Sequence, residues 1–177
     1  MRSPSFRKAL GLVILLACAE DTGTYARGRG LEVAQLPATE RAKIYAASLG
    51  GAFDLEPGLS LLVDTTMLTR VGGEGPGGAL GADVRAALRG TGVTKGECKP
   101  ERRAPTRAPV CRADRPGYVV RFSEVFAMGG DSVQTHLLAD RYDTPATTEH
   151  NRFRIEQAYQ LVRRNGGWAV VRKARID

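Results

Sequence analysis

Histidine is almost missing from this 177-residue chain, which has two, and neither stands in an H-E-x-x-H or comparable zinc-binding spacing. A metal centre would therefore need a carboxylate cluster, and the sequence offers none, so no metal and no cofactor are expected. Aromatic residues make up 6% of the chain, with one Trp, so a core has to be assembled from Val, Leu and Ala. No apolar run approaches the roughly 20 residues that a helix needs to cross about 30 Å of hydrocarbon, which argues against a permanent helical anchor. A Ser-His-Asp set is also lacking. The glycine-rich VGGEGPGG at 71–78 lacks the Gly-Lys-Ser/Thr ending of a phosphate loop and reads as a surface loop.

What is present begins at the first residue. Arg2, Arg7 and Lys8 precede an apolar core from Ala9 to Ala19, and Glu20 and Asp21 close it. Residues 1–19 thus have the three-part layout of a secretory signal. Leu15-Leu16-Ala17-Cys18 resembles the bacterial lipobox, which implies acylation of the Cys18 thiol and cleavage before it. Two or more acyl chains would anchor the protein stably, at about 0.8 kcal/mol per buried CH₂. Ala17-Cys18-Ala19 also satisfies the small-x-small rule for ordinary cleavage, which would leave a soluble protein starting at Glu20. The expected location is the bacterial envelope, outer membrane or periplasm, with soluble secretion as the alternative. Ala19 after the cysteine resembles the pattern of lipoproteins sent to the outer membrane.

Removing residues 1–17 takes Arg2, Arg7 and Lys8 with it and lowers the net charge from +7 to +4. The remaining length suits one domain. If Cys18 carries lipid, Cys98 and Cys111 are left as an even pair in an oxidising compartment, where a disulfide is expected. Neither a C-x-x-C nor a histidine at ligand spacing accompanies them. The segment they enclose contains Pro100, Pro105 and Pro109, which disfavours helix or central strand.

Residues 20–36 are polar and aperiodic and read as a flexible tether, leaving 37–177 as a single domain. After Pro37, the spacing of Ala38, Ala42, Tyr45 and Leu49 predicts a helix ended by Gly50 and Gly51. Residues 59–67 read as a strand, and Leu80, Val84, Ala87 and Leu88 mark a second helix. From Gly117 the period changes to 2, and four strands are predicted. The first, 118–128, puts Tyr118, Val120, Phe122, Phe126 and Met128 on one face. Gly129-Gly130 turns it into a second strand, in which Val133, Thr135, Leu137 and Ala139 oppose Gln134, His136, Leu138 and Asp140. A third strand carries Phe153, Ile155, Tyr159 and Leu161. Asn165-Gly166-Gly167 leads to the fourth, with Trp168, Val170, Ala174 and Ile176. These elements make an α+β fold, N-terminal helices packed on a curved antiparallel sheet that ends in a four-strand meander.

That element order, closing on QLVRRNGGWAVVRKARI, resembles the nuclear-transport-factor-2-like superfamily of cone-shaped domains over residues 37–177. The resemblance implies a cone between helices and sheet, and in the superfamily's isomerases and dehydratases an Asp or His within it. Burial in such a cone raises a carboxyl pKa and suits it to proton transfer. Glu124, His136, Asp140 and Gln157 are the residues able to point there, with Glu124 and His136 the candidate bases. None sits in a motif matched residue by residue. Glu124 also fits a strand-edge carboxylate paired with an arginine, and His136 a solvated strand face. Arginines crowd 102–115 and, with Lys173, the stretch 163–175. Export argues against nucleic acid as partner, and a solvated charge row is the plainer reading. The sequence thus favours an envelope protein with a non-catalytic domain that binds a small ligand or an envelope protein. A small-molecule isomerase or dehydratase and a structural assembly component are the alternatives.

Overall fold

The alternation that starts at Gly117 builds the centre of a curved, mostly antiparallel sheet with two helices on one face. The computed structural model describes residues 31–52, 60–68, 76–94, 96–98, 100–101, 110–111, 116–142 and 153–176. In chain order the elements are α1 (Ala38–Ala52), β1 (Ser60–Asp64), β2 (Thr66–Leu68), β3 (Pro76–Ala79), α2 (Ala82–Gly90), β4 (Gly96–Cys98), β5 (Pro100–Glu101), β6 (Val110–Cys111), β7 (Gly117–Phe122), β8 (Phe126–Gly129), β9 (Ser132–Tyr142), β10 (Phe153–Arg164) and β11 (Gly167–Arg175). The large sheet has the order β11-β10-β9-β7-β1-β4, with β8 on β9. β7, β9, β10 and β11 pair antiparallel with one another in that spatial order, whereas β1 runs parallel to both β7 and β4.

No periodicity in the sequence predicts the parallel insertion of β1, and one glycine makes it possible. A Cβ on Gly117 would lie 2.0 Å from the carbonyl oxygen of Ser60, its register partner. Only a residue without a side chain lets the two backbones approach so closely.

One face of the sheet is the core. Leu61 and Val63 of β1, Tyr118, Val120 and Phe122 of β7, Leu137 and Ala139 of β9, and Tyr159 and Leu161 of β10 all point to it. Ile44, Tyr45 and Leu49 of α1 and Val84 and Leu88 of α2 fill the space above. Tyr45 stacks on Phe122 at 4.3 Å between ring centroids and donates its hydroxyl to the Ser123 carbonyl at 2.9 Å. α1 continues through Gly50 and Gly51 to Ala52 rather than ending at them. Gly51 is used for approach, since a Cβ there would sit 3.0 Å from Val170 Cγ2 on β11. Ile44, absent from the helical face predicted for α1, is fully buried beside Tyr45.

The strand expected over 118–128 is two strands. Phe122 pairs with Leu137 but Phe126 pairs with Gln134, so four steps on one side match three on the other. The extra residue at 123–125 is a β-bulge, and it exchanges the two faces. Val125, not Phe126, joins the core at 0% exposure, while Phe126 moves to the His136 side and Met128 is left exposed.

Other differences are local. Residues 32–36, expected within the tether, belong to the fold: Val33 bridges Phe126, Ala127 N–H donates to the Glu32 carbonyl, and Leu36 packs against the core. The end of the glycine-rich 71–78 stretch forms β3, paired with β2. Within the cysteine-bounded segment, β5 and β6 pair as a separate two-stranded ribbon, with Pro100 opposite Cys111.

Candidate functional site

Glu124 and His136, the two candidate bases, do not meet. Glu124 lies in the bulge between β7 and β8. Burial raises the Tyr45 pKa well above the ordinary phenol range, and the nearby Glu124 charge raises it further, against a smaller opposing effect of Arg41. His136 projects from the opposite face of β9, with Gln134, Leu138 and Asp140.

That second face is not solvated, as its polar sequence suggested. Gln134, His136, Leu138 and Asp140 are 2, 0, 7 and 8% exposed, little different from the core face. The Gln134 amide nitrogen lies 2.7 Å from His136 Nε2, and Phe126 faces the ring at 6.0 Å. With the Gln134 amide donating to Nε2, the neutral ring carries its proton on Nδ1. Nδ1 is buried without a hydrogen-bond partner. Burial lowers the His136 pKa from 6.5 to about 4, so the ring is neutral near pH 7. A neutral imidazole of this kind could accept a proton, but a group with no solvent exposure has no substrate path beside it.

Further along the same face, Asp64 is 1% exposed and receives two hydrogen bonds from Arg121, the Nε bond at 3.0 Å. Its other oxygen accepts the Thr66 N–H at 2.7 Å. Leu62, Val119 and Cys98 form a small apolar cluster next to this pair. Cys98 is 3% exposed and disulfide-bonded. The side chain of Cys111, its expected partner, lies outside the described residues, as do Cys18 and the arginines of 102–115.

The remaining candidates serve the scaffold. Gln157 accepts the hydroxyl of Tyr159 within β10. Asp140 pairs with Val119 in register at the centre of the sheet. Of the second arginine group, Arg163 bonds Glu40 at the start of α1 and stacks over Trp168 at 5.3 Å, and Trp168 Nε1 donates to the same carboxylate at 3.0 Å. Lys43 holds the other Glu40 oxygen at 2.8 Å. A shallow surface depression lies between α2 and β4, lined by Val63, Arg85, Leu88, Arg89, Thr94 and Glu97. Arg85 and Arg89 both close on Glu97 across it, which neutralises part of its charge.

Sequence reasoning passed over Asp64, Glu97 and Glu40. A signal existed for the first, an aspartate inside the apolar run LSLLVD, because a carboxylate in a buried strand requires a cation. No such signal marked the others, whose partners come from separate elements. Among the described residues no group of three metal-ligating side chains occurs. No protein-family model, no curated protein and no solved structure matches the chain.

Proposed function

We propose that this is an exported bacterial envelope protein, anchored through lipid on Cys18, whose domain binds a partner or small ligand without catalysing a reaction. The observation that carries the non-catalytic part is the filling of the space between helices and sheet. Tyr45, Leu49, Val84, Leu88 and Phe122 occupy it, and His136 projects from the opposite face of the sheet. A cone-type proton-transfer site needs a cavity and a base that faces it. Support for export comes from the signal-like residues 1–19 and the lipobox-like Leu15-Leu16-Ala17-Cys18. The bridge is assigned to Cys98 and Cys111, supported by the backbone pairing of Pro100 with Cys111 two residues beyond Cys98. Kinship to nuclear-transport-factor-2-like domains and a four-strand meander over the last strands are part of the same proposal. The helices on one face of a curved sheet support them.

Fractionation of cells expressing the wild type and Cys18→Ser tests the anchor. The wild type is expected with membranes and the variant is not; identical fractionation overturns the lipid reading. Alkylation of the unreduced, denatured protein, followed by mass analysis, should leave Cys98 and Cys111 unlabelled, and two labelled thiols there would refute the bridge.

A further inference from the structure

Two turns of the sheet, Gly130-Asp131 between β8 and β9 and Asn165-Gly166 between β10 and β11, lie at the same end. The register sets this, with Ser132 opposite Val162 and Arg163 opposite Trp168. The N-terminal segment leads to the same place. Val33 is antiparallel to Phe126 and the Glu32 carbonyl receives the Ala127 N–H, so from Val33 back to Leu31 the chain runs beside β8 toward its turn.

The large apolar side chains left exposed among the described residues are Val33, Met128 and Val171, at 39, 38 and 44%. Val33 and Met128 fall at this end of the sheet, Val33 against β8 and Met128 just before the turn, whereas Val171 is the midpoint of β11. Scattered singly they would be ordinary. Here Val33 and Met128 accompany the half-buried indole of Trp168 and the exposed Arg164 where the chain leads back to Cys18. Exposed Glu32 and Asp131 offset the arginines, so apolar and aromatic character, rather than net charge, distinguishes this end.

Resting on the lipid anchor proposed above, we infer that this end of the sheet lies against the lipid surface, with Val33, Met128 and Trp168 in the interfacial layer. Thirteen residues separate Cys18 from Glu32. Fully taut they span about 45 Å. The 11 residues of β9 hold the other end of the sheet about 35 Å farther away. The chain leaves the domain at the turn end, so the anchor is attached there rather than at the far end, and Trp and apolar side chains partition well into the interface.

Trp168 is the single tryptophan of the chain and reports its own depth. The full-length lipidated protein is reconstituted into phosphatidylethanolamine–phosphatidylglycerol vesicles, with and without an acyl chain brominated near the head group. Loss of Trp168 emission in the brominated vesicles is expected, with recovery in the double variant Met128→Asp, Arg164→Glu, while both proteins still float with the vesicles. Equal emission in the two kinds of vesicle, from protein that floats, overturns the docking and leaves the anchor standing. Quenching that persists in the double variant overturns the role given to these residues. Protein that fails to float overturns docking and anchor together.

Discussion

The carboxylate of Asp64 and the guanidinium of Arg121, 57 positions apart, form an ion pair where β1 and β7 run side by side, on the sheet face opposite the helices. Asp64 is 1% exposed and the Arg121 side chain 25%, so the anion depends on this cation. Breaking a buried pair from one side leaves the other charge without compensation. Asp64→Ala is expected to lower unfolding stability by about 3 kcal/mol. The check is the urea midpoint at constant m-value; a midpoint unchanged from wild type would show the pair to be dispensable.

Two glycines should respond in opposite directions to alanine. In Gly117→Ala the new methyl has to displace Ser60 backbone, and a loss of about 4 kcal/mol or failure to fold is expected. At Gly50, in α1, a Cβ would meet no atom within 4 Å and helix propensity would rise, so Gly50→Ala should raise stability by about 0.5–1 kcal/mol. Thermal unfolding of the two variants side by side measures both.

His136 gives the fold a pH dependence whose sign is fixed. Its folded pKa is lowered from 6.5 to about 4, so over that window the unfolded chain holds a proton that the folded chain does not. Stability is full above pH 6.5 and falls as pH drops toward 4, by at most about 3 kcal/mol. His136→Leu should flatten the stability profile between pH 6.5 and 5, where few carboxylates titrate. A profile as steep as that of the wild type would place the dependence elsewhere.

Glu40 binds the start of α1 to the last hairpin through Trp168 and Arg163, and pairs with Lys43 within α1. Hydrogen bonds from Lys43 and Trp168, ahead of the Lys43 and Arg163 charges, hold its pKa below 4.5. Its contribution is therefore present above pH 4.5 and lost as pH falls through the lowered folded value. Glu40→Gln should cost about 1 kcal/mol at neutral pH, as a partly exposed pair does, and shift the emission of Trp168. Urea titration followed by that fluorescence reads both effects.

The elements that depend on local pattern were legible in the sequence. Val84 and Leu88 announced α2, and the glycine turns announced the hairpins of β8–β9 and β10–β11. Three kinds of feature were hidden. The parallel placement of β1 depends on contact between Ser60 and Gly117, which no periodicity records. The bulge at 123–125 reverses the alternation within a run that looks continuous, so periodicity alone puts Phe126 and Met128 on the wrong face. His136 sits in a polar-looking row, Gln134 to Asp140, that periodicity assigns to solvent although the fold buries it. For the candidate site, residue type drew attention to Glu124 and His136, but the full burial of His136 depends on what the fold packs around β9 and is not written in its local pattern.

Parallel pairing of β1 with β7 also imposes an order of assembly. The hairpins from β8 to β11 close short loops and can form from neighbouring residues, whereas β1 must find a strand that lies beyond α2 and the cysteine-bounded segment. Long-range pairing carries the larger loop-closure entropy and slows folding. In a chain delivered N-terminus first, β1 would emerge with its only early neighbour in the short edge strand β4. The edge of β1 that pairs with β7, at Leu61, Leu62 and Val63, would then wait unpaired until Gly117 arrives. The ribbon β5–β6, complete before β7 is delivered, would shorten the distance β1 has to search.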